Sequence, residues 1–231
     1  VQRDMAQWFL KMTEYSDELL DSLDEIEFPE NVKAMQRNWI GRSRGSEIKF
    51  KIEKSDAEIS CFTTRPDTIF GVTFLTLSPE HPLCEDLCRG TEWEAGWRDL
   101  RDECARLSEF ERINLLKEKK GVFLGHHAIN PMSGDRIPVY AGNFVVAGYG
   151  TGAVMAVPGH DQRDFDFAKA YDLEIRRVLV EKPDDDPNRP LEEAFTGYGP
   201  MVNSARPEFN GLSGDDAKSS VIATLQSENS G

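Results

Sequence analysis

Gly148-Tyr-Gly-Thr-Gly-Ala-Val-Met-Ala-Val-Pro-Gly-His-Asp-Gln-Arg-Asp164 sets a glycine cluster, an apolar strand, a Pro-Gly turn and a helix start in one continuous stretch. The order matters. In a dinucleotide-binding fold the glycines follow a strand and open a helix. Here Gly148, Gly150 and Gly152 precede the strand 153–157, and the helix starts only at Asp161. No Gly-Lys-Ser/Thr follows, which excludes a phosphate loop, and no Gly-x-Ser-x-Gly marks a nucleophilic serine. Glycines let a ligand approach the backbone closely. The helix start offers free N–H groups and a partial positive charge. Asp161 and Asp164, three residues apart, share one helix face. Asp161 suits a plain cap as well as a ligand role. Asp164, one turn in, is free to hold a cation such as an ammonium. His160 beside them is a residue that orients a water or simply packs.

Working outward, the periodicity changes several times. Residues 4–25 carry an apolar helical stripe that Pro29 breaks, and 30–40 form a second helix ending near Gly41. Ile48, Phe50 and Ile52 alternate with polar residues as in a strand, and 58–64 reads as another. The continuous apolar run 69–77 reads as a fully buried strand. Residues 80–119 turn helical, and strands follow at 122–129, 137–146 and 153–157. A helix is expected at 161–171 and a strand at 175–180. The segment 182–190 is an exposed Pro/Asp linker, followed by a short strand near Met201. A helix at 215–227, with Ser213 and Asp216 as its capping pair, closes the chain. Roughly seven strands with helices inserted in blocks point to an α+β fold built on a barrel or folded sheet, not to a doubly wound one.

A second segment with chemical potential is Thr63-Thr-Arg-Pro-Asp-Thr68, between a strand and the apolar run. Three hydroxyls, a guanidinium and a carboxylate crowd a loop stiffened by Pro66. Such a loop presents hydroxyls to a ligand at little cost in ordering entropy. A turn whose side chains bond their own backbone fits the same residues.

The 231 residues are enough for one large domain with its own core. Hydrophobic residues are 39% and charged residues 29%, as in ordinary globular chains. No run of 18 apolar residues occurs, so no membrane span is expected. Four cysteines point to a reducing, cytoplasmic setting. Cys84, Cys88 and Cys104 read as buried free thiols. With His126 and His127 they form no metal-ligand spacing, so neither metal nor cofactor is expected. The chain opens without Met, which suggests a piece of a larger protein. The net charge of −14 argues against a nucleic-acid partner. Its distribution softens that argument. Residues 1–30 carry a net −7, whereas 33–54 carry seven cations against two acids.

Together, Thr63-Thr-Arg-Pro-Asp-Thr68 and Gly150-Thr-Gly-Ala-Val-Met-Ala-Val-Pro-Gly-His-Asp-Gln-Arg-Asp164 resemble the editing domain of bacterial-type leucyl-tRNA synthetase. Gln36-Arg-Asn-Trp-Ile-Gly-Arg-Ser43 resembles the stretch leading into that insert, although Arg44 stands where the family more often has an acid. The resemblance implies a closed β-barrel with peripheral helices. It implies residues 1–29 as a flanking helix and 30–231 as the editing domain. The implied reaction is hydrolysis of the ester that joins a wrong amino acid to the 3′ end of leucine tRNA. By resemblance, Asp164 anchors the α-ammonium, while Thr63 and Thr64 surround the ester. Thr68 obstructs leucine, and Tyr149, Met155 and Val157 wall the pocket. Arg65 and Asp161 lie near the terminal nucleotide, and His160 is counted with the substrate-binding residues. The synthetase signatures His-Ile-Gly-His and Lys-Met-Ser-Lys-Ser are missing, so neither ATP binding nor tRNA charging is expected. The implied partners are aminoacylated leucine tRNA and the rest of the synthetase, with the chain itself a monomer. A tRNA-docking module without hydrolysis and an unrelated small-molecule barrel are the alternative readings.

Overall fold

The computed structural model describes residues 8, 10–41, 45–107, 111–112, 118–148 and 150–231. Tyr149, the Arg42-Ser43-Arg44 end of the lead-in stretch and most of the first ten residues lie outside the described residues. The chain divides into two compact units, Val1–Arg44 and Gly45–Gly231.

In the first unit, helix α1 (Ser16–Ser22) follows a single 3-10 turn, and α2 runs Glu30–Ile40. Gly41, at a φ of 63°, ends α2 as its spacing predicts. Leu23 is buried, and an ion pair joins Arg37 to Asp24. Met12, Trp39 and Phe28 stay exposed around a cleft of about 640 Å³.

The second unit is built on six strands: β1 Ser46–Ile52, β2 Glu58–Thr63, β3 Phe74–Leu77, β4 Gly121–Ile129, β5 Arg136–Gly142 and β6 Ala153–Ala156. Their spatial order is β2-β1-β4-β5-β3-β6. Among the described residues only the β3–β5 pair is parallel. Among the described residues, the helices given end to end are α3 Pro82–Cys88, α4 Glu94–Cys104, α5 Gln162–Ala170 and α6 Gly214–Ser227.

The α+β class holds, but the expected closed barrel does not form. The sheet is open, with β2 at one edge and β6 at the other. Closure requires long, tilted strands whose stagger brings the first onto the last. Strands β3 and β6 have four residues each, and no β2–β6 ladder forms among the described residues.

Strand β3 is buried along its whole length, and its alternation shows why. Leu75 and Leu77 enter the main core with Ile48, Phe50 and the α6 residues Val221 and Leu225. Phe74 points to the other face, where it stacks on Phe167 of α5 at 5.1 Å. Both faces are therefore covered, one by the main core and one by α5.

Four expectations differ. The helix read over 4–25 is, among the described residues, a 3-10 turn at Met12–Tyr15 and an α-helix only over Ser16–Ser22. The run 69–77 is not one strand: Pro66–Gly71 is a buried 3-10 turn, and β3 starts at Phe74. Pro66 at the first position fixes φ for the turn, and periodicity cannot tell a buried strand from a buried turn. The segment 175–180 forms a single bridge, Leu179 to Met201. The N–H groups of Val178 and Leu179 go to the His160 ring instead of a neighbouring strand. Ser213 does stand at the N-cap of α6, but its side chain makes no capping bond.

Candidate functional site

Helix α5 begins as the sequence predicts. The Asp161 carboxylate accepts the N–H of Arg163 at 2.8 Å and of Asp164 at 3.4 Å, so it is a true N-cap. It also pairs with the Arg163 guanidinium at 2.9 Å. Burial raises its pKa, but the Arg163 bond and charge and the two N–H groups outweigh that and hold the carboxyl below its usual value.

Asp164 sits one turn further in, 7% exposed. Its Oδ2 accepts the Val157 N–H at 2.8 Å, which ties the helix to the end of β6. Among the described residues no cation pairs with it. Burial, with the neighbouring Asp161 charge, pushes its pKa up to about 8. A carboxyl in that state ionises readily only when a positive group arrives.

His160 has both ring nitrogens occupied. Nδ1 lies 2.9 Å from the Phe195 carbonyl, and Nε2 accepts from Val178 N–H at 3.0 Å and Leu179 N–H at 3.2 Å. That pattern fixes the neutral tautomer with the proton on Nδ1. Burial lowers its pKa to about 4. The ring thus has no nitrogen left to orient a water, and it buckles three chain segments together.

The other motif lies at the end of β2. Thr63 is half-buried and its hydroxyl accepts the Arg65 N–H at 3.0 Å, while Thr64 is exposed. The Arg65 guanidinium grips Asp67 through Nε and Nη2 at 2.9–3.2 Å. Asp67 is 2% exposed, and an ion pair satisfied at two points makes that burial tolerable. The Thr68 hydroxyl donates to the Arg65 carbonyl at 2.8 Å, and the residue is fully buried.

One segment joins the two motifs. Arg65 donates to the carbonyls of Thr196 and Gly197 and lies 4.2 Å over the Tyr198 ring. The Phe195 carbonyl, next along, accepts a hydrogen bond from His160 Nδ1, and the Phe195 N–H donates to the Gly159 carbonyl at 2.9 Å. Gly159 is obligatory here, because a Cβ would meet the Arg176 carbonyl at 2.4 Å. The glycine turn approaches from the other side: Gly150 and Gly152 have positive φ, and a Cβ on Gly150 would lie 3.8 Å from Phe62, beside Thr63. Met155 and Val157 are buried on and just after β6, Met155 paired with Leu75.

Sequence reasoning missed Asp67 as a partner of Arg65 and missed the 195–198 segment entirely. Asp67 had a signal, an acid two residues from an arginine in a rigid loop. The segment had none, because it works through backbone carbonyls. Among the described residues no three His, Cys, Asp or Glu side chains come together, and Cys61, Cys84, Cys88 and Cys104 are free and buried.

The family model for the leucyl-tRNA synthetase editing domain matches residues 37–226. The leucine–tRNA ligase of Rubrobacter xylanophilus is 49% identical over 229 residues, 98% of this chain and 27% of that protein. The leucine–tRNA ligase of Oleidesulfovibrio alaskensis is 46% identical over 232 residues, covering 100% and 28%. A solved ternary complex of an Agrobacterium radiobacter LeuRS with tRNA and LeuAMS superposes with a TM-score of 0.69 at 34% identity, covering 97% of this chain and 24% of that one. The chain thus spans about a quarter of the length of these relatives. With a family match over most of its length and relatives near half identity, this chain belongs to the leucyl-tRNA synthetase editing-domain family.

Proposed function

We propose that this chain hydrolyses mischarged leucine tRNA. A synthetic pocket separates apolar side chains differing by one methylene by only about 10–200-fold, so a second site must remove the errors. Water attacks the ester carbonyl, the bond to the ribose oxygen breaks, and that oxygen takes a proton as the amino acid leaves. Asp164 carries the reading: it is a buried carboxyl at a helix start, paired with no cation among the described residues, beside a glycine-rich turn. The substrate ammonium would supply its counter-charge.

Thr63 and Thr64 flank the ester and stabilise the developing oxyanion. Thr68 limits the room for leucine's branched end, and Met155 and Val157 line the same wall. Arg65, locked by Asp67, presents the threonine loop to the terminal nucleotide. Asp161 and His160 hold the helix start in place. The chain by itself lacks the two synthetase signatures and so neither binds ATP nor charges tRNA. Residues 30–231 form the editing domain and 1–29 its flank. The partners are the 3′ end of aminoacylated leucine tRNA and the rest of the synthetase, and the chain acts in the cytoplasm as a monomer.

A deacylation assay on leucine tRNA carrying a wrong amino acid tests this. Release well above the uncatalysed rate is expected, with leucyl-tRNA spared. Binding of tRNA without any release would leave only a docking module.

A further inference from the structure

A second cleft lies at the far end of α5, and nothing in the hydrolytic reading uses it. It encloses about 370 Å³ and is lined by Lys169, Arg176, Arg177, Asn188, Arg189 and Asn203, with one acid, Glu174. Glu174 is already taken, since Arg176 binds it at 3.0 Å and Asp135 at 2.6 Å. The other three cations have no carboxylate partner among the described residues. Arg177 spends Nε on the Leu179 carbonyl and reaches the Asp186 carbonyl through Nη1, and among the described residues Nη2 makes no hydrogen bond. Lys169 and Arg189 are exposed, and among the described residues neither side chain makes a hydrogen bond, although Lys169 lies 5.5 Å over the Phe165 ring. Three unpaired cations around one cleft run against the field of a chain with net charge −14. Planar guanidiniums in a polar cleft suit phosphate oxygens.

The cleft shares a wall with the candidate site. Arg177 lies 5.8 Å over the Phe195 ring, and the Phe195 carbonyl accepts a hydrogen bond from His160 Nδ1. Asp164 and Lys169 stand on one helix, about 8 Å apart along its axis. A short stretch of single-stranded RNA spans that distance.

We infer that this cleft binds phosphodiesters of the RNA strand that leads away from the aminoacylated adenosine. The inference rests on the proposed reading of the site as one for aminoacyl-tRNA. It places the strand along α5, from the Asp164 end to the Lys169 end. It also explains how so acidic a chain holds a polyanion: through a few cations set close to the reacting end.

The test uses the 231-residue chain with Lys169→Gln and Arg189→Gln together, since among the described residues neither side chain makes a hydrogen bond or ion pair and Lys169 only lies 5.5 Å over the Phe165 ring. Anisotropy of an end-labelled single-stranded RNA dodecamer is read across a salt series. Affinity is expected to fall about tenfold and the salt slope by about 1–2, as for two lost phosphate contacts. The KM for aminoacylated tRNA should rise by a similar factor. The exposed pair Arg89→Gln and Arg98→Gln, with the same change in charge and outside both the cleft and the cationic stretch 33–54, should do neither. Unchanged affinity and slope would overturn the inference, as would an equal loss in the control pair. Competition by polyglutamate as strong as that by unlabelled RNA would also overturn it, in favour of an acidic protein partner. A wild-type chain that binds RNA through this cleft yet deacylates nothing would remove the hydrolytic reading and leave the cleft standing.

Discussion

The Asp164 carboxylate and the Val157 N–H, seven residues apart, meet at 2.8 Å. That bond closes the Pro-Gly turn and fixes where the carboxyl stands before any substrate arrives. Such an arrangement lowers the ordering cost of binding.

Asp164→Ala is expected to lower deacylation of mischarged tRNA by at least about a hundredfold, the scale of losing one buried, charge-assisted contact. Asp164→Asn keeps an acceptor for Val157 and should lose activity to a similar degree, because the charge is what matters. Circular dichroism should show both folded. Activity within about threefold of wild type in either variant would assign the ammonium to another group.

The same residue gives a stability signature. Its folded pKa of about 8 lies above the unfolded value of about 3.9. Between those values the folded state keeps a proton that the unfolded state has lost. Asp164 therefore favours the fold most in acid and progressively less as pH rises through about 8. Urea titrations should find Asp164→Asn more stable than wild type near pH 9, with the gain gone near pH 4. A gain of equal size at both ends would contradict the buried, neutral carboxyl.

Thr68 offers a steric test with an internal control. Its hydroxyl is committed to the Arg65 carbonyl, so its methyl is the part available to crowd a substrate. Thr68→Ala removes both and should begin to hydrolyse leucyl-tRNA, since a methyl-sized fit is worth about 1–3 kcal/mol. Thr68→Val keeps the branch and should go on sparing leucine, at a cost of roughly 1 kcal/mol in stability from the lost hydrogen bond. If the Val variant hydrolysed leucyl-tRNA as readily as the Ala variant, discrimination would rest on the hydroxyl.

His160 should behave as a structural group. His160→Ala leaves two N–H groups and one carbonyl without partners and should cost about 2–4 kcal/mol. The folded pKa of about 4 lies below the unfolded value of about 6.5. Its contribution is complete above about pH 6.5 and is lost as pH falls through 4. The wild type should lose more stability than the Ala variant between pH 7 and 4. Parallel pH curves for the two would mean the ring is not held neutral.

The helix start at Asp161 was legible because local chemistry decides it. A Pro-Gly turn, an aspartate cap and an apolar stripe all point the same way. The edges of the sheet were not legible. Whether β2 meets β6 depends on strand tilt and stagger, and no short stretch of sequence encodes those. Residues 175–180 look like a strand by composition, yet the His160 ring, some eighteen positions away, claims their N–H groups. The Thr196 and Gly197 carbonyls that hold Arg65 were invisible for a simpler reason: every residue type has one. In the candidate site, the charged anchors could be read from side-chain identity, and the backbone that aims them could not.

The four buried cysteines give the domain a built-in clock. Burial raises all four thiols, so hardly any thiolate is present in the folded state to react. Cys61 sits on β2, Cys84 and Cys88 on α3, and Cys104 at the end of α4. Together they report on three walls of the same interior, with Cys84 and Cys88 sharing one. An alkylating reagent added to the native protein counts openings of the wall it reaches, one covalent mark per event. The order in which the four are marked is the order in which the domain comes apart.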